Sequence, residues 1–296
     1  MESESRQVAN LMSAALGTLG AATPASRLRV LDFGCGVGDL VRALLDLGYD
    51  AHGCDVEARW PDDIGGRLEP IAAASYRLPY PDASFDAVVS TSVLEHAQNT
   101  GECFREIHRI LRPGGIAVHL YPSKWYLPVE PHIYVPLVNY LWPRCPRWWL
   151  GLWAWLGVRN EYQQGMTWRQ VLERNARYCA DGLSYPTNRA YRRLSMEIFS
   201  NHASPMAIYA SHGYGGVARL LRRLGSPSLA AWMAGQIRMR LLVHRKLEKA
   251  GERLSGTSGA AARPAARPRS DIRRRARSGD GVAWPDRPRR GGEAAR

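Results

Sequence analysis

The chain has 296 residues, enough for one large domain with additions or two modest ones. Its formal net charge of +13 is uneven: residues 1–120 carry 10 basic and 16 acidic side chains, residues 121–250 carry 18 and 6, and residues 251–296 carry 12 and 5. A basic second half suits nucleic acid, an anionic membrane surface or a phosphorylated substrate, but also a plain solvated surface. No Lys/Arg cluster is interleaved with aromatic residues, so we do not expect nucleic acid as a partner.

The cysteine pattern and the apolar runs indicate the cellular compartment. The five cysteines are scattered without a C-x-x-C pair, and they predict neither a metal site nor a disulfide framework. The N-terminus is acidic and polar before a short apolar helix, which is the wrong order for a secretory signal. The longest aromatic and aliphatic run, residues 148–158, is short of the about 20 residues needed to span a bilayer. We therefore expect a cytoplasmic protein that is not integral to the membrane.

Strands and helices alternate along the first 120 residues. Hydrophobic periodicity predicts helices over 8–20, 39–47 and 102–111 and strands over 28–33, 50–56, 68–74, 85–90 and 116–120. This alternation predicts an α/β fold, with a Rossmann-like, doubly wound and mainly parallel sheet that carries helices on both faces.

The composition changes after residue 121, where seven of the ten tryptophans lie between residues 125 and 168. We predict three regions: a ligand-binding core with its leading helix (1–122), an aromatic and basic substrate or lid region (123–250), and a disordered Arg/Pro/Ala-rich tail (251–296). The middle region is expected to be a mainly helical extension, with basic helices over 166–194 and two more within 218–247. The tryptophans suit a small core of its own, a sugar-binding surface or a membrane interface.

A glycine loop follows the first strand and carries Gly34, Gly36 and Gly38. Alternate glycines alone would equally fit a tight strand-to-helix turn. Two carboxylates favour a ligand instead. Asp55 ends the second strand, where a carboxylate can accept hydrogen bonds from both ribose hydroxyls. Asp32 would repel a pyrophosphate and suits a cation, so the sequence predicts a nucleoside that carries an ammonium group.

Five sequence blocks occur in order between residues 32 and 115. They are DFGCGVG at 32–38, CD at 54–55, LPYPDASFD at 78–86, VLEH at 93–96 and LRPGG at 111–115. Together they resemble the class I S-adenosylmethionine-dependent methyltransferases, in particular the type 11-like group, over residues 27–122. The resemblance implies S-adenosyl-L-methionine as the cofactor.

The resemblance also implies positions for the cofactor. Asp32 would lie near the amino group, Asp55 would hold the ribose hydroxyls, and Val56 would pack on the adenine. Many members carry an acidic residue near position 74 for the adenine amino group; here adenine recognition would fall to Ser75 or to the backbone. The remaining implied cofactor residues are Gly34, Cys35, Gly36, Gly38, Thr91 and Ser92.

Methyl transfer to a hydroxyl needs a base, and three residues are candidates. His132 is preferred because it follows the fifth strand and because Glu130 could orient it, although two prolines could make the same segment a plain polar turn. His96 follows the fourth strand, where packing or capping of a helix would explain it as well. No metal cluster is evident in the sequence, so we expect metal-independent chemistry.

The acceptor is suggested by a second set of motifs. PSKW at 122–125, EPH at 130–132, VPL at 135–137 and GVRNEY at 157–162 resemble methyltransferases associated with bacterial surface glycans. This predicts O-methylation of a small-molecule or saccharide acceptor, including a lipid-linked one at the inner membrane face. The alternatives are a lipid or quinone-type acceptor and a non-catalytic protein with a methyltransferase fold. The fourth strand lacks a D/N-P-P-Y/F block, which argues against nucleobase methylation.

Overall fold

The computed structural model describes residues 3–19, 28–56, 60–72, 76–213, 232–233 and 235–247. Within them the strands are β1 (Arg29–Phe33), β2 (Asp50–Asp55), β3 (Leu68–Pro70), β4 (Phe85–Thr91), β5 (Leu111–Pro122) and β6 (Met239–Arg245). The helices are α1 (Glu4–Thr18), α2 (Asp39–Asp46), α3 (Asp62–Gly65), α4 (Thr100–Ile110), α5 (Val138–Leu141), α6 (Arg147–Trp155), α7 (Trp168–Arg177), α8 (Asn188–Phe199) and α9 (Met206–His212). A 3₁₀ turn (Glu161–Gln163) precedes α7 and a π-helical turn (Tyr178–Gly182) follows it.

The strands form one six-stranded sheet in the order β3-β2-β1-β4-β5-β6. Strands β1 to β5 are parallel, and β6 runs antiparallel to β5. The strand order reverses between β1 and β4. Ligands of open α/β sheets bind outside the carboxyl ends of the strands at such a point. The glycine loop after β1 and the segment after β4 are both at this position.

Successive strand residues enter two separate cores, because side chains alternate between the faces of a sheet. Val30 in β1 packs in a core with α1, α2 and α9, whereas Leu31 packs in a second core with α4 and α8. Ile116 and Ala117 in β5 divide in the same way. The sheet is therefore covered on both faces, and the predicted doubly wound, mainly parallel fold is confirmed.

Several element boundaries differ from the predictions. Helix α1 begins at Glu4 because Ser3 caps it, accepting a hydrogen bond from the Arg6 N–H at 3.3 Å. Strand β5 begins at Leu111, since the Pro-Gly-Gly segment continues the strand and shifts its register against β4 between Phe85 and Ala87. Strand β3 ends at Pro70, earlier than predicted.

The predicted helix at the end of 218–247 is wrong for residues 239–245, which form β6. Leu241 and Val243 face one core, and Leu242 faces the other. A short apolar run of this kind cannot be assigned by periodicity alone, and here pairing with β5 decides the strand. Residues from the predicted 123–250 region thus complete the core sheet. Residues 218–231 and the tail 251–296 lie outside the described residues.

A third core lies in the aromatic region and is built from α5, α6, α7 and the π-helical turn. Its buried members are Ile133, Val135, Val138, Leu150, Cys179, Leu183 and Tyr185, with Trp142, Trp149 and Trp153 packed against them. Part of the tryptophan cluster therefore serves a small core, one of the roles that the sequence left open. No helix in the described ranges combines the length and hydropathy needed to span a bilayer.

Candidate active site

The loop between β1 and α2 depends on three glycines in the left-handed region, with φ of +79° at Gly34, +53° at Gly36 and +86° at Gly38. A Cβ on Gly34 would lie 2.3 Å from the side chain of Val93, and one on Gly38 would lie 2.6 Å from that of Ile64. Glycine is therefore required at both positions for two reasons, the left-handed backbone angle and the lack of space for a side chain. A Cβ on Gly36 would meet no described atom within 4 Å, so the loop is open to a ligand at Gly36.

Asp55 ends β2 beside this open position. Its Oδ2 accepts a hydrogen bond from the Gly36 N–H at 2.7 Å. The indole N–H of Trp60 donates to the Gly36 carbonyl oxygen at 2.9 Å. The backbone of Gly36 is thus held from both sides, with a carboxylate next to it. Val56 follows Asp55, and its side chain is 39% exposed.

Asp32 is buried at the end of β1, with 2% of its surface exposed. Burial, together with the charge of Asp55, raises the pKa of Asp32 to about 8. A cation bound nearby would favour its ionised form, because an opposite charge offsets the loss of solvation. The two carboxylates therefore make this end of the sheet a better site for a cationic ligand group than for an anionic one.

The other predicted cofactor residues differ in what they can offer a ligand. The thiol of Cys35 points into the core, where a Cβ on Gly53 would lie 2.8 Å from its Sγ, so this residue can offer only its backbone to a ligand. The Thr91 hydroxyl is buried without a hydrogen-bond partner among the described residues. Ser92 is exposed, with a left-handed φ of 55°. Ser75 lies outside the described residues.

A cavity of about 520 Å³ opens at the same edge of the sheet. Ser92 after β4 and Pro122 at the end of β5 contribute to its wall, together with residues from α1, α9 and the segment before β6. Its lining residues are Glu4, Gln7, Ser92, Pro122, Tyr126, Pro131, His132, Tyr209, Arg238 and Met239. Because Ser92 belongs to the predicted cofactor residues, this cavity is the best placed of those observed to hold an acceptor.

His132 forms part of this wall and is held by Glu130. The carboxylate of Glu130 is fully buried; its Oε1 lies 2.6 Å from the His132 Nδ1 and accepts from the Tyr185 hydroxyl at 2.9 Å. Its Oε2 accepts from the backbone N–H groups of His132 and Ile133 at 2.8 and 2.9 Å. Burial alone would raise the pKa of Glu130, but His132 and these backbone donors outweigh it and lower that pKa. Glu130 is therefore an anion that orients the imidazole.

His96 and Glu95 meet His132 although they lie far from it in the chain. The rings of His96 and His132 are T-shaped, with their centroids 4.7 Å apart, and the Nδ1 of His96 lies 2.8 Å from the Gly182 carbonyl oxygen. Glu95 is 1% exposed, and burial raises its pKa to about 7 against a smaller lowering by His132. Sequence reasoning placed His96 and His132 in the site but missed Glu95, although the VLEH block contains it.

Two further residues were missed because they have no local motif. Tyr185 reaches Glu130 from across the aromatic region, and Arg238 reaches the cavity from the segment before β6, with its guanidinium 4.4 Å from the ring centroid of Tyr126. Only the folded chain brings them together.

Comparison with known proteins identifies the central α/β domain. Residues 31–119 match a family model described as a methyltransferase domain. The chain is 33% identical over 144 residues to a probable methyltransferase of Arabidopsis thaliana, covering 45% of this chain and 24% of that protein. It is 36% identical over 103 residues to a probable S-adenosylmethionine-dependent methyltransferase of Mycolicibacterium smegmatis, covering 32% and 38%. The chain contains a class I S-adenosylmethionine-dependent methyltransferase domain.

The chain spans less than half the length of these two curated relatives. Among solved structures, an S-adenosylmethionine-dependent methyltransferase from Mesorhizobium loti gives a TM-score of 0.43 at 19% identity, covering 78% of this chain and 97% of that chain. S-adenosylmethionine is the cofactor of this methyltransferase domain, as the sequence predicted. The site fits it: Gly36 leaves room beside the backbone, and the carboxyl groups of Asp32 and Asp55 lie at the same end of the sheet.

Proposed function

We propose that the chain is an S-adenosylmethionine-dependent O-methyltransferase that acts on a hydroxyl of a small molecule or saccharide. The observation that carries this proposal is the buried Glu130–His132 pair on the wall of a cavity at the cofactor edge of the sheet. Lipid-linked saccharides belong to the same acceptor class. The shared chemistry is an alcohol oxygen that must lose its proton as it takes up a methyl group.

The cofactor would be held between the glycine loop and the end of β4. Asp32 would pair with the ammonium group and Asp55 would accept from the ribose hydroxyls, while Val56 would pack against the adenine. The loop backbone and the residues after β4 would line the methionine and ribose part, and recognition of the adenine amino group would fall to Ser75 or to backbone groups. The backbone and β4 contributors are Gly34, Cys35, Gly36, Gly38, Thr91 and Ser92.

The residues of the chain would position and deprotonate the acceptor. S-adenosylmethionine supplies a methyl group on a sulfonium, which an acceptor oxygen displaces in line. Because Nδ1 of His132 is hydrogen-bonded to Glu130, the proton of the acceptor hydroxyl would go to Nε2. Glu130 would then stabilise the imidazolium, as a buried carboxylate does for a histidine base.

An exposed apolar face on α6 supports an acceptor at a membrane surface. The side chains of Trp148 and Trp155 are 69% and 66% exposed, and Leu152 and Leu156 are also exposed. These positions share one side of the helix. Tryptophan and leucine on one helix face suit the headgroup region of a bilayer, and this favours a lipid-linked acceptor or the lipid-type acceptor of the alternative proposal.

The test is methyl transfer with isotope-labelled S-adenosylmethionine to separate fractions of small molecules, surface glycans and lipids. His132→Ala should bind the cofactor normally and transfer methyl groups to the true acceptor far more slowly. His212→Gln, at an exposed histidine of α9, is the matched control and should keep full activity. Full activity of His132→Ala would remove the Glu130–His132 pair from the mechanism. Cofactor binding without transfer to any fraction would favour the non-catalytic alternative.

A further inference from the structure

We propose that Glu95, His96 and His132 bind a divalent transition-metal ion at the edge of the acceptor cavity. One potential ligand atom from each lies within 4.8 Å of the other two. Glu95 and His96 follow β4, and His132 follows β5. Because β4 and β5 are neighbours and parallel, their carboxyl ends bring the three side chains together.

The carboxyl group of Glu95 lies in a buried place where a bound cation would stabilise its anion. Both of its oxygens are buried, and neither has a hydrogen-bond partner among the described residues. The Ser92 side chain also lies close to this carboxyl group. The backbone carbonyl of Glu95 accepts from the Ser184 N–H at 2.6 Å, which fixes this segment in place. A buried carboxylate without partners is costly, and a bound cation would compensate it.

Both histidines are oriented as metal-bound histidines are. The carbonyl of Gly182 can only accept, so the Nδ1 of His96, 2.8 Å away, carries a proton and donates it. The Nδ1 of His132 donates in the same way to the ionised Glu130 at 2.6 Å. Each ring therefore offers Nε2 as its ligand atom. Metal-bound histidines usually donate their other N–H to a backbone carbonyl or a carboxylate, as these two do.

The donor set selects the kind of ion. Two imidazole nitrogens and one carboxylate suit Zn²⁺ or Fe²⁺ better than Mg²⁺ or Ca²⁺, which prefer oxygen ligands. Ligand atoms of a tetrahedral zinc ion lie about 3.3 Å apart, so binding would draw these side chains closer together. Three protein ligands leave at least one coordination position for another molecule, as in catalytic rather than structural sites.

The open position gives the ion a role, which rests on the proposed function. His132 lines the acceptor cavity, so an acceptor hydroxyl in that cavity could bind the ion. A metal-bound hydroxyl loses its proton more readily, and this proton would pass to solvent water. His132 would then act as a ligand instead of a base, and Glu130 would keep its orienting part.

Binding of the metal alone tests the site independently of the acceptor. The tag-free full-length chain, stripped with a chelator, is titrated with Zn²⁺ by calorimetry and with Co²⁺ by visible absorption. We expect one ion per chain, with the intense bands of four- or five-coordinate cobalt. Glu95→Gln keeps the size of the side chain and should weaken binding at least tenfold, on the order of the loss that even outer-shell substitutions cause. His212→Gln should bind like the wild type.

Every outcome bears on one of the two proposals. Equal Zn²⁺ affinity in Glu95→Gln and wild type would overturn the metal site, and so would loss of the ion in His212→Gln. Unchanged S-adenosylmethionine affinity in Glu95→Gln shows that the variant is folded. Methyl transfer that continues at full rate after chelation would overturn the catalytic role of the ion but leave the O-methyltransferase proposal intact. Stoichiometric ion binding without transfer to any acceptor would support the metal site but overturn the O-methyltransferase proposal and, with it, the catalytic role of the ion.

Discussion

Replacing the buried Asp32 with asparagine should stabilise the fold increasingly as the pH rises. The pKa of this carboxyl is about 8 in the folded protein, against an ordinary value of 3.8. Below about pH 4 this carboxyl holds its proton in both the folded and the unfolded protein, so it does not lower the free energy of unfolding. Between these values the unfolded chain ionises while the folded one keeps the proton, so the free energy of unfolding falls with rising pH. One pKa unit corresponds to about 1.4 kcal/mol, so this carboxyl removes on the order of 3 kcal/mol between pH 5 and pH 7.

Urea unfolding of wild type and Asp32→Asn at pH 5 and pH 7 measures this effect. The stability difference between the two proteins should grow in favour of the variant by the amount just given. A difference that is the same at both pH values would refute the raised pKa and the burial argument behind it.

The same carboxyl should report cofactor binding. At pH 7 a group with a pKa of about 8 is about nine-tenths protonated. If the ammonium group of S-adenosylmethionine pairs with Asp32, binding should release nearly one proton. Calorimetry in two buffers of different ionisation enthalpy counts that proton. Asp32→Asn should release none, and release that persists in the variant would place the ammonium group elsewhere.

Three more substitutions test the cofactor loop and the base. Asp55→Ala should weaken S-adenosylmethionine binding at least tenfold, or about 1.4 kcal/mol, because the ribose hydroxyls lose their acceptor; calorimetry measures it. Gly38→Ala should lower the unfolding free energy clearly more than Gly48→Ala. Both glycines have a positive φ, but only at Gly38 would the added methyl group clash with a side chain of α3. Tyr185→Phe should lower kcat by a few fold to tenfold at unchanged KM, since Glu130 loses one of its donors.

A different result would contradict each of these predictions. Unchanged affinity in Asp55→Ala would place the ribose away from the end of β2. Equal unfolding curves for Gly38→Ala and Gly48→Ala would show that the neighbouring helix yields at no cost. A Tyr185→Phe variant with wild-type kcat would show that the other donors suffice to position the carboxylate of Glu130.

Much of the fold was predictable because five strands carry local evidence. Apolar runs such as 28–33 and 85–90 are bounded by glycine loops or turns, and the helices between them have one apolar side. Strand β6 was not predictable in this way. Its sequence Met-Arg-Leu-Leu-Val-His-Arg has a central apolar run that suits a helix or a strand, and only the partner β5, more than a hundred residues earlier, decides between them.

The candidate site likewise combines residues that local motifs reveal with residues that only the fold brings together. Gly34, Gly38 and Asp55 were predictable because the loop and the strand end carry motifs of fixed spacing. The meeting of Glu95 with His132 was not, since it depends on the neighbouring ends of β4 and β5 and on a histidine held by a buried carboxylate. The expectation of metal-independent chemistry came from looking for ligands close together in the sequence, and it stays a prediction that the metal titration tests.

Methyl transfer to an oxygen is the decisive measurement for the proposed O-methyltransferase activity. Labelled S-adenosylmethionine is incubated with the full chain and with acceptor fractions from cells that lack it, and the products are analysed by mass spectrometry. The proposed mechanism requires that the wild type adds the mass of one methylene group to a hydroxyl oxygen of the acceptor, and that His132→Ala forms far less of this product at unchanged cofactor affinity. A methyl group found on carbon or nitrogen, or equal product from the His132→Ala variant, would contradict it.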